Sequence, residues 1–507
     1  MSSETPPLPP RHLAAEEFRT LGHRMVDWVA SYWERLEGLP VRSPLQPGEV
    51  AAMLPPSPPE QGLPPQGWDE VFADLERLVV PGLTHWQSPS FFAYFPANAS
   101  GPAVLGELLA AGLGVQGMLW STSPAATELE TRVLDWTAEL CGLPGAFRSD
   151  APGGGGVIQG TASESTFVAM VAGRQRVQRR AEGRAGRPVA YTSSQAHSSV
   201  LKAARMCGVV QQGDDGQGLR VLGTGGAHAL DTGALERALR EDLAAGRAPC
   251  SVTVSLGTTS SGAMDDVAAA ARVLRETGAA ERGAWLHVDA AWAGSAFVCP
   301  ELRGPLEGVA GADSYAFNPH KWLLTNFDCG LFYTRDRAAL VDALSVTPEY
   351  LRNAASESGA VVDYRDWQVP LGRRFRALKL WLVLRHYGAE GLRAHIRHHV
   401  ALAARFEAAL GADARFELAA PRSLALVLFR LRARAGEGAA EADARTRALL
   451  ERVNATGEAF LTHTVLPGAG GAPGRYAIRM AIGATRTEAR HVDAALALLR
   501  READGLG

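Results

Sequence analysis

Between Glu16 and Leu36 the apolar side chains Phe18, Leu21, Met25, Trp28, Val29, Tyr32 and Leu36 recur at helical spacing. They predict a helix with one broad apolar face. The proline-rich stretch from Pro40 to Pro65 predicts a connector with neither helix nor central strand. A helix cut off in this way has no core of its own, so its face is expected to bury on a second subunit. Beyond Gly101 the pattern changes. Short β-rich runs (Val189 to Thr192, Ser251 to Leu256, Ala284 to Val288, Cys329 to Tyr333) alternate with helical Ala/Leu/Arg segments as far as Lys379. That alternation predicts an α/β domain with a mostly parallel central sheet and helices on both faces. From Leu380 onward, helices mix with strands at Leu424 to Leu431 and Tyr476 to Ala481, predicting a small α+β domain. The expected division is an arm over residues 1–100, a large domain over 101–379 and a small one over 380–507.

Composition narrows the function classes. A chain of 507 residues is too long for one core. Its formal net charge is −3 and it carries no basic stripe, which argues against nucleic acid. The arginine-rich stretch Arg174 to Arg187 reads as a solvated helix end. No apolar run has the length of a membrane span, and residues 1–10 lack the layout of a secretory signal. Cys141, Cys207, Cys250, Cys299 and Cys329 show no metal-ligand spacing and read as reduced, buried thiols. The expected location is cytoplasmic, with no bound metal.

Three motifs carry chemistry. Gly153 to Gly156 leads through Val157-Ile158-Gln159 to Gly160-Thr161-Ala162-Ser163-Glu164, where Thr161 and Glu164 have capping-box spacing. Free amides at that helix start would seat a phosphate, although a flexible loop before an ordinary capped helix has the same signature. Next, Trp285-Leu286-His287-Val288 leads into Asp289-Ala290-Ala291, placing a carboxylate at a strand's carboxyl end. Open α/β sheets bind ligands there. Asp289 could hold a pyridinium nitrogen protonated over a small residue, Ala291, or cap the next helix. Finally, Lys321 stands among aromatic and apolar neighbours in Ser314-Tyr315-Ala316-Phe317-Asn318-Pro319-His320-Lys321-Trp322. A lysine is rarely buried without a reason, and desolvation lowers its pKa as a Schiff-base amine requires. His320 and Asn318 could reach the same phosphate, and His197 could stack on a cofactor ring. In this order, within an α/β domain, the three signals are the parts of a fold-type I pyridoxal-phosphate enzyme.

The chain resembles the group II decarboxylases, and within them the aromatic L-amino acid decarboxylases. The matching stretches are Phe91-Phe92-Ala93-Tyr94-Phe95-Pro96, Ser123-Pro124-Ala125-Ala126-Thr127-Glu128-Leu129-Glu130, Gly156-Val157-Ile158-Gln159-Gly160 and Gln195-Ala196-His197-Ser198-Ser199. They continue with His287-Val288-Asp289-Ala290-Ala291, Asn318-Pro319-His320-Lys321-Trp322 and Pro370-Leu371-Gly372-Arg373-Arg374-Phe375-Arg376. The resemblance implies the fold-type I transferase fold, a homodimer with shared active sites, and pyridoxal 5'-phosphate as cofactor. Lys321 matches the Schiff-base lysine, Asp289 the pyridine-nitrogen partner and His197 the stacking ring, with Ala291 on the other face. Thr161, Ala162, Ser163, Asn318 and His320 fall at phosphate contacts, and Thr259 at the cofactor's edge. Trp86, Tyr94, Phe95 and Pro96 would line the substrate pocket with Gly372, joined by Gln116 and Met118 of the partner subunit. Tyr350, in Thr347-Pro348-Glu349-Tyr350-Leu351, matches the acid that protonates Cα.

The implied reaction is decarboxylation of an aromatic L-amino acid (Trp, Phe, Tyr or DOPA) to its arylalkylamine. Related aldehyde synthases, which also deaminate oxidatively, carry Phe for Tyr350 or Asn for His197, and this chain keeps both. An inactive cofactor-binding scaffold is the remaining alternative, and the presence of Lys321, Asp289 and Tyr350 argues against it. Ala97 removes a hydroxyl common in the animal enzymes' pocket. Gln116 and Met118 replace Ile and Phe found there, making the wall more polar and more adaptable.

Overall fold

The structure, a computed structural model, describes residues 12–64, 67–211, 213, 216–346, 355, 361–468 and 473–506. Its large sheet comprises β1 (Gly155–Gln159), β2 (Pro188–Ser193), β3 (Leu219–Leu222), β4 (Ala248–Ser255), β5 (Trp285–Asp289), β6 (Ser314–Phe317) and β7 (Gly330–Thr334). The spatial order is β1-β7-β6-β5-β4-β2-β3. From β3 to β6 all neighbours run parallel, and β7 is antiparallel to both β6 and β1. The sheet is therefore mostly parallel, as expected. Strands β4, β5 and β7 are buried along their whole length, as strands covered on both faces must be. A separate antiparallel sheet, β8 (Phe416–Leu418), β9 (Leu426–Leu431), β10 (Thr462–Leu466) and β11 (Arg475–Ala481), has the order β10-β11-β9-β8.

Helix α1 (Ala15–Arg35) forms where the apolar period placed it, and none of its residues is buried. It touches the body of the chain through Arg24–Asp69, Trp28–Glu76 and Tyr32–His85, each at 2.7 Å. The connector departs from expectation. A helical turn, α2 (Glu49–Met53), forms in the proline-free stretch between Pro47 and Pro55, where Glu, Ala and Met favour helix. Helix α3 (Gly101–Leu113) leaves Leu105, Leu108, Leu109 and Leu113 exposed on its surface.

Helix α4 (Ala162–Arg180) follows β1 and packs along β4 and β5. Its arginines are less solvated than the sequence suggested. Arg176 pairs with Asp313 at 3.0 Å, both largely buried, and lies over the Trp285 ring. Arg174 donates to the Cys207 carbonyl at 2.6 Å. The turn of the helix that meets the sheet needs Gly173, because a Cβ there would sit 2.3 Å from the Cys250 carbonyl oxygen.

Three further helices matter for the site: α5 (Ser199–Met206), the single turn α6 (Pro319–Trp322) and α7 (Arg376–Gly411). Residue 379 lies inside α7, whose backbone breaks at Gly388. The segment Phe91 to Tyr94 pairs with the small sheet. Phe92 donates to the Phe460 carbonyl at 2.9 Å, and Ala481 donates to that of Phe92 at 3.0 Å. All five cysteines are free and buried. Among the described residues no helix is long and apolar enough to cross a membrane.

Replacing Gly173 by Ala should push α4 off the sheet and cost about 1–3 kcal/mol, the usual penalty of overpacking. A urea midpoint equal to wild type would contradict the close approach.

Candidate active site

The parallel strands β4, β5 and β6 end at one cavity of about 230 Å³. Thr161, Ala162, Ser163, His197, Thr259, Asp289, Ala291, Asn318, His320 and Lys321 all line it. The sequence had singled out these same residues as cofactor contacts. Fold position explains the convergence: Asp289 ends β5, Asn318 follows β6, and the α4 amino terminus follows β1. The carboxyl edge of a parallel sheet is where such residues meet.

The α4 start differs from the expected capping box. Thr161 is the N-cap residue but its side chain makes no cap bond. Glu164 instead accepts from the Gly160 amide at 3.0 Å, one residue earlier. The Ala162 amide is not free either, since it donates to Asn318 Oδ1 at 2.9 Å. Asn318 also donates its backbone N–H to the Ala291 carbonyl, and its own carbonyl accepts from Lys321 N, each at 2.9 Å. One residue thus ties the helix start, the turn after Asp289 and the lysine together.

Asp289 is buried, and its Oδ1 accepts from the Ala291 amide at 3.0 Å. It braces its own turn and caps no helix. Lys321 points its amine into the cavity, 5.3 Å from the centre of the Phe95 ring. Burial lowers the pKa of this amine; the Asp289 carboxylate opposes the shift and the Arg479 guanidinium adds to it. The chain has three lysines, Lys202, Lys321 and Lys379, and only Lys321 lines the cavity. Lys379 is paired with Glu107 at 2.8 Å, and Lys202 is exposed.

The His197 ring is open to the cavity, yet the protein around it lowers its pKa, with Asp289 opposing and Lys321 adding. Its Nδ1 accepts from the Ser199 amide at 3.1 Å, which orients the ring at the start of α5. His320 accepts from the Cys329 amide at 2.9 Å. Burial pushes His320 down to about 3, and the Lys321 charge contributes. Behind Asp289, His287 lies 2.8 Å from Ser314 Oγ and burial pushes it to about 4.

The expected substrate residues divide. Phe95 lines the cavity. Trp86 and Tyr94 stack at 5.5 Å in an adjoining cleft of about 630 Å³ shared with Thr259, Phe460 and Arg479. Pro96 is buried against Gly483 and lines neither space. Gln116, Met118 and Gly372 stay away from the cavity of their own chain. There Gln116 Oε1 accepts from the Arg373 amide at 3.2 Å, and the Met118 carbonyl accepts from Arg365 N at 3.1 Å. Tyr350 lies outside the described residues.

Several residues of the site were missed: Ser255, Gly257, Thr258, Trp292 and Phe327 also line the cavity, and Arg479 lies beside it. Arg479 projects from β11 with Nε donating to the Ser260 carbonyl and Nη1 donating to the Tyr94 carbonyl and Thr462 Oγ1. Its guanidinium lies 5.0 Å from the Phe95 ring centre, and burial pushes it down to about 10. Nη2 is buried with no hydrogen-bond partner among the described residues. The available signal was a single charge inside the otherwise apolar strand Tyr476-Ala477-Ile478-Arg479-Met480-Ala481.

Comparison with known proteins identifies the constellation. The conserved domain of pyridoxal-dependent decarboxylases matches residues 47–432. The chain belongs to that family. A phenylacetaldehyde synthase of Arabidopsis thaliana is 46% identical, with 97% of each chain covered. Tryptophan decarboxylase 2 of Oryza sativa subsp. japonica is 45% identical, covering 97% of this chain and 96% of the relative. The crystal structure of Oryza sativa TDC with PLP and tryptamine superposes with a TM-score of 0.92 at 41% identity, covering 98% and 100% of the two chains. The decarboxylase is therefore a carboxy-lyase with pyridoxal phosphate as its cofactor. The side chains present fit that group: an amine in the cavity, a buried carboxylate beside it, an imidazole, and the hydroxyls of Thr161 and Ser163 at a helix amino terminus.

His320 generates a pH prediction. Its folded value near 3 lies below the unfolded value of about 6.5, so between these the unfolded chain alone is protonated. Its contribution to stability is present above pH 6.5 and is lost as pH falls, at about 1.4 kcal/mol per unit. Urea midpoints between pH 4 and 6 should therefore fall more steeply for wild type than for His320→Gln. Parallel curves would contradict the burial of a neutral imidazole.

Proposed function

We propose that this decarboxylase converts an aromatic L-amino acid to its arylalkylamine and CO₂, working as a homodimer in the cytoplasm. The observation that carries the reading is Arg479. A buried guanidinium with an unused N–H, in the same aromatic surround as the Lys321 amine, suits the carboxylate of an amino acid whose amine meets the cofactor. The cleft beside it is walled by Trp86, Tyr94 and Phe460, which favours an aromatic side chain. Tryptophan and phenols are both consistent with that wall.

Bound pyridoxal phosphate supplies an electron sink for the pair released when the Cα–carboxylate bond breaks. The chain's own groups do the rest. Lys321 holds the cofactor, and its lowered pKa keeps the amine available as a nucleophile. Asp289 holds the proton on the pyridine nitrogen, and His197 and Ala291 flank the ring. Thr161, Ala162, Ser163, Asn318 and His320 seat the phosphate, and Thr259 meets the cofactor's edge. Arg479 orients the carboxylate, while Trp86, Tyr94 and Phe95 shape the side-chain wall, with Pro96 packed behind them on Gly483. Tyr350 delivers the proton to Cα. Gln116 of the partner subunit and Met118 of the partner subunit complete the pocket, with the partner's Gly372 beside that glutamine. The dimer is supported by two apolar surfaces left exposed among the described residues: the leucines of α3, and Phe18 and Val26 of α1.

A second reading, an aldehyde synthase, is favoured by the 46% identity to a phenylacetaldehyde synthase. The test is the purified protein with pyridoxal phosphate, given L-Trp, L-Phe, L-Tyr, L-DOPA and L-Glu separately. Amine from an aromatic substrate without peroxide is expected; aldehyde with peroxide in place of amine would establish the second reading. Arg479→Gln should raise KM for the favoured substrate about tenfold or more, roughly 1.4 kcal/mol in kcat/KM. An unchanged KM would remove Arg479 from carboxylate binding.

A further inference from the structure

Phe95, which lies beneath both Lys321 and Arg479, is the end of a column of rings. It stacks on Trp292 with centroids 4.5 Å apart and planes 20° apart. Trp292 stacks on Trp322 at 5.2 Å and 17°, and Trp322 on His399 at 6.3 Å and 15°. The column crosses the protein from the cavity to α7, and both indoles are buried. Offset-stacked rings slide over one another at small energetic cost, because the attraction varies slowly with lateral position. Close packing confines such a column, and a directional bond to one member adds a fixed register to it.

Among the described residues there is one such bond along the rings: Trp322 Nε1 donates to His399 Nδ1 at 2.9 Å. Trp292 Nε1 is buried with no partner there. The tautomer at His399 follows, since a ring nitrogen that accepts leaves its N–H on the other side. On that side the Ala484 carbonyl, just beyond β11 of the small domain, is within the reach of the imidazole. Burial, with His395 and His398 beside it, holds the His399 imidazole neutral and therefore able to accept. The preceding residue, Gly483, is packed so closely on Pro96 that a Cβ would lie 2.5 Å from that ring. His399 thus joins the helix α7, the turn that carries Lys321, and the small domain that carries Arg479.

We propose that His399 is a positioning residue: by accepting the Trp322 indole N–H it fixes the ring column and so sets Phe95 beneath the Lys321 amine and the Arg479 guanidinium. The inference rests on the decarboxylase reading for its kinetic readout and on the apoprotein for its structural one. It acts on the reacting geometry, so its loss lowers kcat more than it raises KM.

The experiment compares His399→Asn, whose side-chain oxygen can stand in for Nδ1, with His399→Leu, which has no acceptor. Near-ultraviolet circular dichroism of the cofactor-free proteins reports the stacked Trp292–Trp322 pair, and steady-state kinetics of the loaded enzymes report Phe95. His399→Leu should lose the stacked-indole signal and at least tenfold in kcat, with KM changed less than threefold. His399→Asn should keep the signal and kcat within threefold. Wild-type values for His399→Leu, or an equal loss in a folded His399→Asn, would overturn the proposal. If His399→Leu fails to fold, Trp322→Phe decides: it removes the donor and should lose kcat to the same extent, and full kcat would overturn the assignment. A wild-type enzyme that makes no amine would sink the functional reading while the apoprotein dichroism still tests His399.

Discussion

An amine with no hydrogen bond among the described residues, yet facing a cavity, is the constraint around which this structure is organised. Burying a lysine is expensive, and the expense takes the form of a lowered pKa. At Lys321 burial dominates, the Asp289 carboxylate partly offsets it, and Arg479 reinforces it. Among the described residues the amine lies over the face of Phe95. Its backbone, in contrast, is held firmly, because Asn318 links Lys321, Ala291 and the first residue of α4. The mobile chemistry of a nucleophile and the rigid placement of its backbone are thus assigned to different atoms of one segment.

The two sheets contribute unequally but jointly. The parallel sheet brings Asp289, Asn318 and the α4 start to one edge, as strand direction requires. The small sheet adds Arg479 across the Phe95 ring, and the Phe91 to Tyr94 segment binds the two parts together by pairing with Phe460 and Ala481. The aromatic wall at Trp86 and Tyr94 is therefore mounted on the small domain's framework. Tyr94 N donates to Thr462 Oγ1, the same hydroxyl that accepts from Arg479. Movement of one sheet against the other would shift Arg479 and the ring wall together.

Much of this was legible in the sequence, for reasons that differ by residue. Asp289 and Asn318 sit at strand ends and Lys321 in the turn that follows, where a polar residue interrupts a buried apolar run and is conspicuous. The α1 helix was legible because its period is long and regular. Strand β1 was obscure because its first half is glycine, which carries no periodicity, and β3 because it is four residues with mixed burial. The α2 turn escaped because prolines flank it on both sides. Arg479 and His399 escaped because their partners, Tyr94 and Trp322, are distant in sequence and no local pattern points across the fold. Arg176 was read as solvated because its ion-pair partner, Asp313, lies on another element.

The central claim is that Lys321 carries the cofactor, and the chain's scarcity of lysine makes it unusually testable. The holoenzyme would be reduced with borohydride, digested, and mapped by mass spectrometry. A pyridoxyl phosphate adduct on Lys321, with Lys202 and Lys379 unmodified, is the predicted result. An adduct on either of those lysines, or none on Lys321 in protein that retains the cofactor, would contradict the account.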